Sequence, residues 1–271
     1  MIWALFSDYA IAAAGLPSSV AATLQIYYVA GFFIASAILI YLIVRSYAQK
    51  LETLHDERMQ DGVEVAQRLA MAIELRDSHT SGHNHRLGRY CQIIAQEMGL
   101  GPDVCEQIYQ AAALHDVGKI GVPDEILNKP GPLTHEERLL IQQHVELGAS
   151  LLASGKHPLM RLAHAIALTH HECWDGSGYP RGLKGAEIPL EGRIAAVCDM
   201  FDALMSARPY KRPWTLEETV AEIARHRGTR FDPEVIDAFE RALPKLDKVL
   251  DEPEPTGWHD LQERLRQESA V

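Results

Sequence analysis

Leu114-His115-Asp116-Val117-Gly118-Lys119 is the stretch on which the reading of this chain turns. Adjacent histidine and aspartate set a soft imidazole and a hard carboxylate about one helical step (~100°) apart, so both can reach into one cavity and hold a cation. Asp116 and Lys119, three apart, share a helix face, which puts an ammonium beside a carboxylate able to bridge two ions. A His-Asp dipeptide alone is more often a capped helix or a solvated pair, so the weight falls on the rest of the chain.

Composition sets the limits. The 271 residues are 47% apolar and 23% charged, enough for one sizeable core with appendages. Cys91, Cys105, Cys173 and Cys198 form no C-x-x-C pair, so they read as reduced, cytosolic thiols rather than a disulfide framework or zinc ribbon. A net charge of −11 argues against a sequence-independent grip on DNA or RNA. An anionic substrate has to be met by local positive charge.

The N-terminal region belongs to a different solvent. Val20 to Val44 carries no charge and exceeds the ~20 apolar residues that cross a bilayer core. Its Val, Leu, Ile and Phe side chains favour insertion by roughly 4 to 8 kcal/mol. No Lys or Arg precedes Arg45, which speaks against a cleaved signal peptide. Residues 20–44 are therefore expected to be a single transmembrane helix, with residues 1–19 outside or in the interface. Arg45 and Lys50 follow directly and put the C-terminal bulk in the cytoplasm of a single-pass inner-membrane protein.

From Arg45 to Asp77 no proline occurs, and Leu51, Leu54, Met59, Val63, Ala66, Leu69 and Ile73 recur near helical spacing. Residues 45–61 read as a helical linker leading into a folded domain over 62–250. This helix either pairs with its copy in a homodimer or packs on the core. Helix-length segments punctuated by Gly and Pro predict an all-α architecture, a helical bundle built round a metal centre. Thr134 with Glu137 and Thr215 with Glu218 have the capping-box spacing, Phe231-Asp232-Pro233 opens a last helix, and 251–271 is a polar acidic tail.

Of the 13 histidines, those at 55, 135, 157, 226 and 259 lie in polar surroundings, while the others fall in apolar-periodic segments. His79 and His83 are four apart, on one face if 77–90 is helical. His144 is expected near the end of the helix that Thr134 opens. His170 and His171 end the apolar run Leu162 to Thr169. Asp199 follows Ile194-Ala195-Ala196-Val197-Cys198, which predicts a carboxylate driven into an apolar surrounding, where a cation must neutralise it.

In order, His83, His115-Asp116 with Lys119, His144, and His170-His171 running into Glu172-Cys173-Trp174-Asp175-Gly176-Ser177-Gly178-Tyr179-Pro180 are followed by Asp199, Arg208-Pro209-Tyr210-Lys211 and Phe231-Asp232-Pro233. This order resembles the HD-GYP family, a subgroup of the HD-domain metal-dependent phosphohydrolases, over about Gly62 to Leu246. The resemblance implies an α-helical cytoplasmic bacterial signalling domain that hydrolyses cyclic di-GMP at a centre of two or three divalent ions, iron or manganese. Its metal ligands would be His83, His115, Asp116, His144, His170, His171 and Asp199. The family commonly has tyrosine at position 79, and a minority with an acidic residue there holds a third metal. His79 is thus either an additional ligand or a histidine behind the ligand shell.

That set offers about eight donor atoms if Asp116 bridges, against the roughly twelve that two six-coordinate ions require. Open positions suit a hydrolase, with a bridging hydroxide as nucleophile and room for phosphate oxygens; two closed zinc sites would leave no room for chemistry. Lys119 would neutralise charge on the phosphoryl group. Arg208 and Lys211 would hold the substrate's second phosphate. Tyr179 lines the entrance or packs on the core, and Asp202 orients a ligand histidine. His85 and His164 read as structural. Products would be pGpG, GMP or both, under control of a membrane or signalling partner. The rival readings are an HD-type hydrolase of another nucleotide and a catalytically silent interaction module.

Overall fold

A charge-free apolar run continued by a proline-free stretch makes one long helix, α1, spanning Ser18–Arg76. The computed structural model describes residues 9, 14–15, 17–76, 82–153, 157–206 and 212–251; His79, Arg208 and Lys211 lie outside that set, as does nearly all of the tail. The chain divides into two units, Met1–Gly62 and Val63–Val271.

In the first unit the apolar side chains of α1 face outward: Ile26, Phe33, Ile34, Leu39, Ile40 and Leu42 are all more than half exposed. Ser18–Leu54 is long and apolar enough, by length and composition, to cross a membrane. A helix satisfies its backbone polar groups internally, which a bilayer demands of any spanning segment.

The second unit is built from helices, and no strand occurs among its described residues. After α1 come α2 (His83–Glu97), α3 (Pro102–Ala112), a 3-10 turn (Val117–Gly121), α4 (Asp124–Leu127), α5 (His135–Gln142), α6 (His144–Leu152) and α7 (Pro158–Thr169). A second 3-10 turn (Gly185–Glu187), α8 (Leu190–Met205), α9 (Leu216–Arg225), α10 (Pro233–Leu246) and a closing 3-10 turn (Asp247–Asp251) follow. The helix α2 packs on α3, α8 and α10, while α7 lies against α3, α6 and α8.

Helical spacing explains this core. Leu87, Tyr90, Cys91 and Ile94 line one face of α2, Ile194, Val197, Cys198 and Phe201 one face of α8, and all are buried. Tyr90 meets Phe201 edge-on at 5.0 Å between centroids, and Phe201 meets Phe239 of α10 at 5.4 Å. Truncating Phe201 to alanine would cost about 3–5 kcal/mol.

The predicted caps are present. Thr134 Oγ1 accepts the Glu137 N–H at 3.2 Å while Glu137 Oε2 accepts the Thr134 N–H at 2.8 Å, and Thr215 with Glu218 repeats the pattern. Asp232 caps α10 through the Glu234 N–H at 2.8 Å, with Pro233 in the first turn. One expectation needs correction. His144 does not lie near the end of the Thr134 helix, which stops at Gln142; it opens α6. The Gln143 N–H turns back to the Leu140 carbonyl at 3.2 Å, tightening the last turn and redirecting the chain so that His144 points inward.

Two close contacts set the surroundings of the site. A Cβ on Gly118 would fall 1.9 Å from the His144 carbonyl oxygen and 2.4 Å from the Gly148 nitrogen, so only glycine lets the turn after Asp116 lie on α6. At the end of α1, Arg76 Nη2 donates to Asp124 Oδ1 at 2.7 Å and to the Val122 carbonyl at 3.1 Å. Its Nη1 reaches the Ile120 carbonyl at 3.1 Å, and Asn128 Nδ2 donates to the Arg76 carbonyl at 3.0 Å.

Candidate metal centre

Four buried histidines arrive at one cavity from four elements: His83 at the start of α2, His115 after α3, His144 at the start of α6 and His170 at the end of α7. Each has its Nδ1 engaged. His115 Nδ1 lies 2.9 Å from the Ala112 carbonyl, His144 Nδ1 2.6 Å from that of Ile141, and His170 Nδ1 3.0 Å from that of Ile166. His83 Nδ1 lies 2.8 Å from Asp202 Oδ2. These oxygens only accept, so Nδ1 carries the hydrogen and, in a neutral ring, Nε2 presents a lone pair to the cavity.

The Nε2 atoms face one another in pairs. His83 Nε2 and His115 Nε2 are 3.3 Å apart, and His144 Nε2 and His170 Nε2 3.5 Å. Two acceptors at that range repel unless a cation or a shared proton lies between them. Asp116 stands between the pairs: Oδ1 is 3.2 Å from His144 Nε2 and 3.8 Å from His170 Nε2, while Oδ2 is 3.2 Å from His115 Nε2. Donor atoms of His144, His170 and His171 fall within 4.8 Å of one another, as do those of His83, His115 and Asp116. Two such groups sharing a two-faced carboxylate suit a pair of divalent ions.

Lys119 Nζ sits 2.7 Å from Asp116 Oδ2. Asp199 Oδ1 is 3.7 Å from His83 Nε2, but its side chain is 25% exposed, so the expected apolar surrounding is wrong. The reason is helical phase: Cys198 and Phe201 occupy the buried face of α8, and Asp199, a step further round, looks into the cavity mouth. Asp202 is buried and also binds Arg86, whose Nε and Nη2 reach its two oxygens at 2.7 and 3.0 Å. Tyr179 stacks on His171 at 4.8 Å between centroids and leans on the Val145, Ala149 and Leu168 cluster. It therefore packs on the core and borders the site. His85 and His164 turn away to the Tyr109 hydroxyl and the Ala149 carbonyl.

Proton affinity differs from place to place. Burial alone pulls His83 down, but the hydrogen bond and charge of Asp202, with Asp199 and Asp116, raise it to about 9. The proton it would then hold at Nε2 is one that a metal ion replaces. Burial and the neighbouring His115 take His170 down to about 3, and burial with His170 holds His171 well below its usual range. Burial works against Asp116, yet the His115 and Lys119 charges keep its carboxyl well below the ordinary value.

Two carboxylates that support the site were not singled out from sequence. Glu172 is buried and accepts the backbone N–H groups of Arg181 at 2.8 Å and Leu183 at 3.0 Å, closing the Gly-Tyr-Pro loop on itself. Glu74 of α1 accepts the His83 N–H at 2.7 Å, its other oxygen has no partner among the described residues, and burial raises its pKa to about 7. Its signal was an acid on the apolar stripe of Ala66, Ala70 and Ile73. Gly178 is the loop's tight point, where a Cβ would meet the Cys173 nitrogen at 2.3 Å.

The profile of the HD domain family matches residues 67–235. The chain belongs to the HD domain family. Its His-Asp and Gly-Tyr-Pro elements place it in the HD-GYP branch. It is 51% identical over 176 residues to a cyclic di-GMP phosphodiesterase of Thermotoga maritima, covering 65% of this chain and 48% of that one. It is 45% identical over 174 residues to 3'3'-cGAMP-specific phosphodiesterase 2 of Vibrio cholerae, covering 64% and 33%. The chain thus spans half or less of the length of these curated relatives. The crystal structure of a cyclic GMP-AMP specific phosphodiesterase of V. cholerae, 20% identical, shares the HD fold with a TM-score of 0.54 over 75% of this chain and 53% of its own.

Proposed function

We propose that the HD unit is a metal-dependent phosphodiesterase that hydrolyses cyclic di-GMP to pGpG, GMP or both. The observation that carries this reading is the facing of the Nε2 atoms, 3.3 and 3.5 Å apart, on either side of Asp116. His83, His115, Asp116, His144, His170, His171 and Asp199 would hold two divalent ions, iron or manganese, with His79 either a further ligand for a third or a histidine behind the ligand shell. Bound there, the ions supply Lewis acidity for phosphoryl oxygens and lower the pKa of water.

The protein's own groups do the rest. Carbonyl acceptors and Asp202 hold His83, His115, His144 and His170 with Nε2 toward the cavity, the orientation that a ligand needs. The Lys119 ammonium, tethered to Asp116, offsets negative charge gathering on the phosphoryl oxygens. The Tyr179 ring walls one side and shields His171 from water. Arg208 and Lys211 would take the second phosphate. The apolar part of α1 would anchor the protein in the inner membrane with the HD unit in the cytoplasm. Two copies would pair through α1 under control of a membrane or signalling partner. DNA and RNA are not substrates in this reading.

The test uses full-length protein purified anaerobically in detergent. It should carry about two ions per chain and convert cyclic di-GMP to linear product or GMP, followed by elemental analysis and product chromatography. A chain that loads metal and leaves cyclic di-GMP intact while cutting 3'3'-cGAMP would replace the substrate with the one named for its V. cholerae relative.

A further inference from the structure

Several guanidinium groups of the second unit are answered by a carboxylate: Arg76 by Asp124, Arg86 by Asp202, Arg193 by Asp232 and Arg227 by Asp237. Arg230 is not. Among the described residues its guanidinium meets the Met200 sulfur, 3.8 Å from Nη1, and lies over the Phe231 ring with Cζ 5.4 Å from the centroid. The side chain is half-buried. Partial removal from water without a counter-charge is unfavourable for a cation unless an anion or acceptor arrives.

Its position says which. Met200 follows Asp199 at the cavity mouth. The turn that carries Arg230 is stitched to the segment that leaves His170-His171: the Trp174 N–H donates to the Arg230 carbonyl at 3.1 Å and the Asp175 N–H to that of Thr229 at 2.8 Å. The Phe231 face below and the Met200 sulfur beside it orient the planar fork in advance.

We infer that Arg230 is a substrate-binding residue of the metal centre, its guanidinium fork taking a pair of acceptors on the dinucleotide. The inference rests on the phosphodiesterase reading. The acceptor pair is either the two free oxygens of the phosphodiester that is not being cut or the O6/N7 edge of a guanine, both of which match the fork bidentately.

The test is steady-state kinetics of metal-loaded, full-length protein on cyclic di-GMP and on 3'3'-cGAMP. Arg230→Gln should raise KM about 10- to 100-fold with kcat within about threefold, the cost of one charge-assisted contact made in ground and transition states alike. Arg230→Lys, which keeps the charge and loses the fork, should fall between, and it carries the test if the Gln variant fails to fold by near-UV circular dichroism. Arg227→Gln, on the same turn but paired with Asp237, should leave KM unchanged. An equal rise on both substrates assigns the phosphate, and a larger rise on cyclic di-GMP assigns the guanine edge. A KM within about twofold of wild type for the folded variant overturns the inference while the phosphodiesterase reading stands. Wild-type protein inert on both dinucleotides sinks that reading, and the inference with it.

Discussion

At one end of the histidine cavity, His83 is gripped by side chains that carry charge: Asp202 at 2.8 Å, itself held by Arg86, with Asp199 nearby. At the other end, His144 and His170 rest on the backbone carbonyls of Ile141 and Ile166, and His171 on the ring of Tyr179. Both ends orient an imidazole equally well. They differ in the field they impose: carboxylates raise His83 to about 9, and burial together with the neighbouring His115 lowers His170 to about 3. Orientation and proton affinity are thus set separately, and identical ligands acquire unlike chemistry from what stands behind them.

The largest effect should come from removing what both ends share. Replacing His115 and Asp116 by alanine together should abolish hydrolysis, by about a thousandfold or more, and strip the metal; activity surviving in a metal-free variant would break the comparison at its root. Next, Asp202→Asn should weaken metal at the His83 end by about 10- to 100-fold and leave the His170 end loaded, read by chelator titration with elemental analysis.

In metal-free protein the two ends should titrate in opposite directions. His83 has a raised pKa, so its stabilisation is complete below pH 6.5 and is lost as pH climbs through about 9. His170 has a depressed pKa, so its contribution is present above pH 6.5 and lost as pH falls through about 3. The swings are about 3 kcal/mol for His83 and about 5 kcal/mol for His170. Urea unfolding across pH should show both limbs, with His83→Gln flattening only the upper one and His170→Gln only the lower.

Gly118→Ala pushes a methyl into the backbone of α6 and should cost about 1–3 kcal/mol, seen as a lower Tm at unchanged metal stoichiometry. An effect of similar size, but confined by pH, is expected at Glu74. Its raised pKa means that stability is lost as pH rises from 4.5 through about 7, so Glu74→Gln should begin to gain on wild type above pH 4.5 and reach its full advantage, about 1–3 kcal/mol, above about pH 7.

The helical class was readable because apolar residues recur at helical spacing in α2, α8 and α10, and because the capping boxes at Thr134 and Thr215 announce their helices. The histidines that converge were those embedded in apolar segments, where a polar side chain needs a reason to be. What stayed hidden depends on contacts distant in sequence. Glu172 looks like a solvated acid until the Arg181 and Leu183 amides fold back on it. Arg230 looks like a surface cation until the turn at 226–231 is laid against Trp174 and Asp175. The break at Gln143 has no proline or glycine to mark it, and Asp199 was misjudged because an apolar run does not reveal which side of a helix the next residue takes.

Arg76 has a mechanical meaning. One guanidinium binds the carbonyls of Ile120 and Val122 and the side chain of Asp124, and Asn128 answers on the Arg76 carbonyl. The foot of α1 and the turn bearing Lys119 are thereby clamped like two gears on one shaft. A strain applied at the foot of that helix would therefore be felt first in the turn that carries the ammonium nearest Asp116.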